Sequence, residues 1–357
     1  MHIPRAVTTA AAATPRFAMY YDQWHTASPN KAQMAGITHV ITAFASTTLF
    51  TSDPPGTYTP FVDVATLRSQ FDDGTKICMA IGGWGDTAGF SVGQKDDASR
   101  KLYAKNVAST LESHGYDCVD VDWEYPGGNG EDYKQNPNSG KTDEIANYAL
   151  LLQEIKSAIG DKELSIAVPG LERDMIAFTS EQVPKIDAAV DVINVMTYDL
   201  MNRRDTQTSH HTSVKGSLST IDHYISLGMT PSKMNLGIAF YAKFFKTTGQ
   251  CTQPIGCPTV LLEDANGGDT GQSGAVTFAE VPPVLSSGVA DADEGGQWYW
   301  DASTSYFWTW DTPDFIAQKF EQIVGARGLG GVMAWSLGED SADLTYIKAM
   351  QSGLATL

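Results

Sequence analysis

Short apolar runs alternate along the chain with longer segments of helical period. The runs are Phe17–Tyr21, Ile37–Ala45, Lys76–Ile81, Cys118–Trp123, Leu164–Val168, Ala189–Met196, Met234–Phe240 and Gly331–Ser336. Their Val, Ile and Ala content suits strands covered on both faces, as in a parallel sheet. Two intervening segments read clearly as helices. In one, Tyr103, Val107 and Leu111 recur at four-residue spacing and Gly115 supplies the stop. In the other, Thr142 is placed to cap, Ile145, Tyr148, Leu152, Ile155 and Ile159 form the apolar stripe, and Gly160 ends it. Fainter helical patterns cover Ser217–Leu227, Thr312–Ala326 and Ser341–Ser352. Eight strands with helical crossovers predict an α/β fold, a (β/α)8 TIM barrel rather than an open sheet.

One span breaks the alternation. Residues 243–305 hold Gly and Asp clusters, two cysteines and Trp298-Tyr-Trp300. A structureless loop of that length does not suit a barrel, so a small α+β subdomain is expected there, between strand 7 and its helix. The run Asp291–Gly296 reads as a solvated loop within it. The expected organisation is a flexible N-terminal tail at 1–15, a barrel built from 16–242 and 306–357, and the insert at 243–305.

Composition narrows the function. Of 357 residues, 42% are hydrophobic and 18% charged, a globular balance with ample core material. No apolar stretch is long enough to span a bilayer. The formal net charge of -18 repels phosphate backbones and anionic lipid, which argues against nucleic-acid and membrane partners. A monomer is expected. Met1–Pro15 lacks the apolar segment of a secretory leader, and Ala6–Thr14 reads as a tail or a remnant of processing. An extracellular location with the leader trimmed is the expectation. Four cysteines are too few for a disulfide-built scaffold. Cys251 and Cys257 are close enough to bridge a short Gly/Pro-rich loop. Cys78 and Cys118, in neighbouring strands, are expected as buried free thiols.

The informative segment is Tyr116-Asp-Cys-Val-Asp-Val-Asp-Trp-Glu-Tyr-Pro126. Asp120, Asp122 and Glu124 alternate with Val119, Val121 and Trp123, so a strand puts the acids on one face and the apolar residues on the other. Same-face neighbours lie about 6 to 7 Å apart. Three carboxylates stacked so closely inside a barrel resist full ionisation, and at least one pKa must rise. Glu124 comes last, at the carboxyl end where barrel active sites lie, and a protonated acid there serves as a general acid. A solvated acidic loop does not fit so apolar an opposite face. Alternating carboxylates also hold metals, but no His or further acid of matching logic lies beside them; neither metal nor cofactor is expected.

This segment resembles the D-x-x-D-x-D-x-E signature of family 18 glycoside hydrolases, with Asp117, Asp120, Asp122 and Glu124 in its four places and Tyr125-Pro126 continuing it. Other strands carry similar motifs in order: Met19-Tyr-Tyr-Asp-Gln-Trp24, Thr38–Ala45 containing Phe44, Ala80-Ile-Gly-Gly-Trp84, Met196-Thr-Tyr-Asp199, Gly237-Ile-Ala-Phe-Tyr241 and Met333-Ala-Trp335-Ser. The fifth strand is poorly marked. The segment after strand seven resembles the inserted subdomain of the deep-cleft members.

The resemblance implies a chitinase that hydrolyses β-1,4 linkages between N-acetylglucosamine units of chitin and chitooligosaccharides. It implies retention by substrate assistance, an exception to the two-carboxylate scheme. The substrate's acetamido oxygen attacks its own anomeric carbon, and Glu124 serves as acid, then base. Asp122 orients the acetamide and Asp120 holds the proton that lets Asp122 alternate. Tyr198 bonds the acetamido oxygen, and Asp199 contacts sugar or supports Tyr198. Trp335 forms the apolar floor under the cleaved sugar. Tyr20, Phe44, Trp84, Tyr125, Met196 and Tyr241 complete the expected cleft. Trp24, Trp298, Trp300, Trp308 and Trp310 could extend the cleft, with core packing the default for most of them.

Two positions depart from the pattern. Ala80 replaces a serine, which removes a hydroxyl expected to support Asp120 and shifts that task to Tyr20. Ala242-Lys243 replaces Gly-Arg, which removes a bidentate sugar contact. Arg203 and Arg204 fit either sugar contact or pairing with local acids. An endo-β-N-acetylglucosaminidase acting on N-glycans would use the same chemistry. A non-catalytic chitin-binding lectin on the same barrel would lack the acid, whereas Glu124 is present.

Overall fold

The computed structural model describes residues 14–357. The tail expected at 1–15 lies outside the described residues as far as residue 13. Thirteen strands follow in chain order. The first seven are β1 (Arg16–Asp22), β2 (His39–Ala45), β3 (Lys76–Gly82), β4 (Cys118–Asp122), β5 (Glu163–Val168), β6 (Val192–Val195) and β7 (Met234–Ala239). Then come β8 (Tyr241–Lys246), β9 (Ser273–Thr277), β10 (Val289–Asp291), β11 (Gly296–Asp301), β12 (Tyr306–Trp310) and β13 (Gly331–Trp335).

Strands β1 to β7 and β13 close into a parallel barrel in the order β1-β13-β7-β6-β5-β4-β3-β2. Each expected apolar run became one barrel strand. Side-chain alternation divides two apolar layers. Outward residues such as Met19, Val40, Ile77, Val119, Val121, Ile166 and Ile238 pack with the helices. Inward residues such as Tyr20, Ile41, Cys78, Ala80, Cys118, Ala167 and Met333 fill the barrel. The strands are thus covered on both faces, as a parallel sheet ringed by helices requires.

The two clear helices lie at Asp97–His114 and Thr142–Ile159. The Asp96 side chain caps the first by accepting from Ser99 N, and Gly115 ends it at φ 77°. Thr142 is the first residue of the second helix rather than its cap. Ser213 and Thr312 cap helices at Val214–Ser226 and Pro313–Lys319, and the last helix is Thr345–Leu354. The sixth strand is shorter than its apolar run because a helix occupies Val183–Ala189.

After β7 the chain passes through Phe240 and continues as β8, which lies between β12 and β9 in a five-stranded antiparallel sheet of order β10-β11-β12-β8-β9. This sheet spans Tyr241–Trp310, with one-turn helices at Phe278–Glu280 and Leu285–Ser287. Met201, Phe245, Cys251, Cys257, Leu262 and Phe307 form its own small core. Trp298 and Trp300 pack against that core, and Trp308 and Trp310 are buried.

Cys251 and Cys257 form the expected disulfide. The expectation of free thiols at Cys78 and Cys118 is wrong: they are bonded. The two residues are direct partners across β3 and β4, both point into the barrel, and their Cα atoms are 4.4 Å apart. Alkylation of the unfolded, unreduced protein should find no thiol, and four after reduction. Replacing Cys78 and Cys118 together by Ala should lower stability by about 4 kcal/mol in urea unfolding, the chain-entropy value for a loop of about 40 residues.

Candidate active site

The carboxyl ends of the barrel strands surround a cavity of about 630 Å³. Asp122, Glu124, Tyr125, Met196, Tyr198 and Asp199 line it, with Tyr20, Phe44, Trp84, Tyr241 and Trp335. All expected site residues except Asp120 reach its wall. Asp120 lies one layer deeper, buried beneath Asp122. Asp117 is not part of the site; at the other end of β4 it accepts the Ile77 N–H at 2.8 Å and pairs with Arg68.

Asp120 sits in a closed set of donors. Tyr20 donates to Oδ2 at 2.7 Å, while Ser165 Oγ and Asn194 Nδ2 donate to Oδ1 at 2.5 and 3.1 Å. Burial raises its pKa, and these three hydrogen bonds pull against the rise. Ala80 and Ser165 are its direct partners on β3 and β5. A hydroxyl therefore reaches Asp120 from the strand opposite the one where the family pattern expects it. Tyr20 shares the task with Ser165 and Asn194. Both were missed from the sequence; the signal was an inward polar residue on a strand otherwise apolar.

Asp122 has the opposite environment. Its Oδ1 is buried without a hydrogen-bond partner. Burial, then the charges of Glu124 and Asp120, push its pKa well above the usual carboxylate range. Burial also raises Glu124, to about 7, against the Tyr125 hydrogen bond and with help from Asp199 and Asp174. The strand turns that hold these acids require glycine. Gly82 has φ 105°, and a Cβ there would collide with the Asp122 carbonyl and the Phe90 ring. Gly83 donates its N–H to that carbonyl at 2.9 Å.

Aromatic rings form the rest of the wall. Trp335 stacks on Phe44 with ring centres 5.6 Å apart and lies 5.5 Å from Tyr20. Tyr198 is buried, and its hydroxyl has only a weak acceptor, Met333 Sδ at 3.8 Å. Trp24 and Trp84 are the exposed rings, and both line the cavity.

Asp199 does not touch Tyr198 through its carboxylate. It accepts the Tyr241 hydroxyl at 2.9 Å and pairs with Lys243 at 3.0 Å. Burial would raise its pKa, but the Lys243 and His211 charges and these hydrogen bonds bring it below its ordinary value. The Lys in place of the family's Arg thus engages an acid of the cavity wall. Arg204 donates to the Asn129 and Gly130 carbonyls at 2.8 Å each and lies over Tyr133 and Trp84. It braces the loop after β4 against the exposed tryptophan. Arg203 also lies over Trp84 and donates to the Gly267 carbonyl.

The chain matches the glycosyl hydrolases family 18 profile over residues 16–340. It belongs to that family. Chitinase 1 of Aphanocladium album is 24% identical to this glycoside hydrolase over 363 residues, covering 89% of this chain and 80% of that protein. Endochitinase 1 of Metarhizium robertsii is 25% identical, covering 78% of this chain and 64% of its relative. The second catalytic domain of Ostrinia furnacalis Group II chitinase shares the fold of this family 18 enzyme, with a TM-score of 0.78 and 23% identity over 96% of this chain and 97% of that one. A variant of that domain has been solved in complex with penta-N-acetylchitooctaose.

The raised pKa of Glu124 has a consequence for stability. An acid that stays protonated in the folded state while the unfolded chain ionises destabilises the fold as pH rises. The loss begins near the unfolded value of 4.5 and is complete above about 7. Glu124→Gln should therefore be more stable than the parent by about 3 kcal/mol at pH 8 and close to equal at pH 4. Thermal melts across that range would measure the difference; a pH-independent offset would contradict the burial of an ionisable Glu124.

Proposed function

We propose that this family 18 enzyme hydrolyses β-1,4 linkages in chitin and chitooligosaccharides, with retention and substrate assistance. The observation that carries the reading is the acid row under the cavity: one carboxyl fully bonded, the next unpartnered, the last raised to near neutrality. Named chitinases among the relatives, and the chitooligosaccharide in a structural neighbour, support the substrate class.

The sugar at the cleavage point lies with an apolar face on Trp335, where C–H groups meet the indole ring. Its acetamide turns down toward Asp122 and Tyr198. The unpartnered Asp122 Oδ1 accepts the acetamido N–H, which replaces an unsatisfied buried oxygen with a charge-assisted hydrogen bond. The Tyr198 hydroxyl gives up a weak sulfur acceptor for the acetamido oxygen. Glu124 gives its proton to the glycosidic oxygen as the carbonyl oxygen attacks the anomeric carbon. The product of this step is an oxazolinium ion and a released chain end. Glu124, now a carboxylate, takes a proton from water, which attacks the same carbon from the face the leaving group vacated. The configuration is retained. Asp120 holds the proton that Asp122 shares, in a cradle that tolerates either charge. Two disulfides and a relative named as a secreted chitinase, LysM12 of Penicillium expansum, support an extracellular location.

Chitin hexamer is the test substrate. The first product formed should be the β-anomer, read by NMR before mutarotation. An α-product would overturn retention, and cleavage of a high-mannose glycoprotein in preference to hexamer would overturn the substrate. Glu124→Gln should keep oligosaccharide affinity and lose at least about 1,000-fold in kcat, the upper part of the range for general acid–base removal. Ser165→Ala should lower kcat about 10-fold or more, the worth of one hydrogen bond to a charged group. Its pH–rate profile should shift while KM stays near the parent value.

A further inference from the structure

Beside the acid row, at the same end of the barrel, Asp22, His25 and Glu339 converge. Asp22 ends β1, His25 lies in the turn that follows, and Glu339 ends the short turn Leu337–Glu339 after β13. His25 Nδ1 is 3.0 Å from Asp22 Oδ1 and 3.1 Å from Glu339 Oε1. One donor atom from each residue fits within 4.8 Å of the others. The two carboxylates are buried, while the His25 side chain is 36% exposed and opens a path to solvent.

Hydrogen bonds leave part of this group open. A ring nitrogen carries at most one proton, yet His25 Nδ1 faces two carboxylate oxygens at equal range. Asp22 Oδ1 already accepts the backbone N–H groups of Trp24 and His25 at 2.9 Å each. Asp22 Oδ2 accepts the Ser336 hydroxyl. Glu339, 4% exposed, has a buried Oε2 with no partner. Whichever tautomer His25 adopts, Glu339 Oε2 stays buried without a partner, which is uncommon.

We propose that Asp22, His25 and Glu339 bind one divalent transition-metal ion, zinc or manganese, apart from the reacting centre. One imidazole and two carboxylates form a donor set of intermediate hardness. Calcium and magnesium favour oxygen ligands throughout. The backbone and Ser336 contacts already orient Asp22, as outer-shell groups orient metal ligands. The ion joins the end of β1 to the turn that follows Trp335, so it fixes the cleft floor from behind. None of this rests on the proposed reaction.

The test is calorimetric titration of EDTA-stripped, dialysed full-length protein with zinc, manganese, calcium and magnesium chlorides. Saturable binding of one zinc or manganese ion per chain is expected, with a higher melting temperature. His25→Ala and Glu339→Gln should each weaken it at least 10-fold. Absence of saturable zinc and manganese binding would overturn the proposal. So would tighter binding of calcium than of zinc, or parent-like binding in both variants. Cobalt(II) added to the parent protein gives a readout that needs no variant. Visible bands distinct from the aquo ion, displaced by zinc, support the site; the unchanged aquo spectrum counts against it.

Discussion

Acid burial without a compensating cation is the constraint on which the active end of the barrel depends. Asp120 and Asp122 point into the barrel interior from adjacent inward positions of β4, with Glu124 just beyond. Each would rather be in water, and the fold treats each differently. Asp120 is surrounded by donors, Asp122 is left with an open acceptor, and Glu124 opens onto the cavity. Desolvation therefore becomes a graded set of proton affinities along a single strand. The apolar remainder of the barrel, and the rings of Phe44 and Trp335, keep that gradient away from bulk solvent.

The five-stranded sheet, entered through β8, extends the wall of the cavity. It leaves the barrel directly after β7, so Tyr241 and Lys243 at its root reach back to Asp199. Ser273, Gly274 and Ala275 of β9 face the cavity as well. Across from them, Lys134 and Gln135 of the loop after β4 donate to the carbonyls of Asp264 and Asn266. The wall is thus tied to both the barrel and an opposing loop, which suits a long ligand held along a deep cleft.

Much of this was legible in the sequence, because it depends on period. Alternation along Val119–Glu124 placed the acids on one face without reference to any other strand. The eight apolar runs gave the barrel for the same reason. What depends on register between strands was not legible. Ser165 is two strands' worth of sequence away from Ala80, and only lateral pairing makes both neighbours of Asp120. Asn194 reaches the same carboxylate from β6. Cys78 and Cys118 looked like inert core thiols, since spacing alone does not reveal that their strands pair cysteine to cysteine. Arg204 was seen but not assignable: it does pair with a local acid, Asp174 at 3.7 Å, but its nearer partners are backbone carbonyls that no side-chain pattern marks.

The inward disulfide carries one more implication. Cys78 precedes Ala80 and Gly82 by one and two inward steps, and Cys118 stands in the same relation to Asp120 and Asp122. If β3 slipped one residue against β4, one sulfur would turn to the helices and the other would stay inside. The bond can close only when the strands meet in the register that also sets Ala80 beside Asp120 and Gly82 beside Asp122. The bond at the base of the barrel thus locks the register that aligns the acids above it.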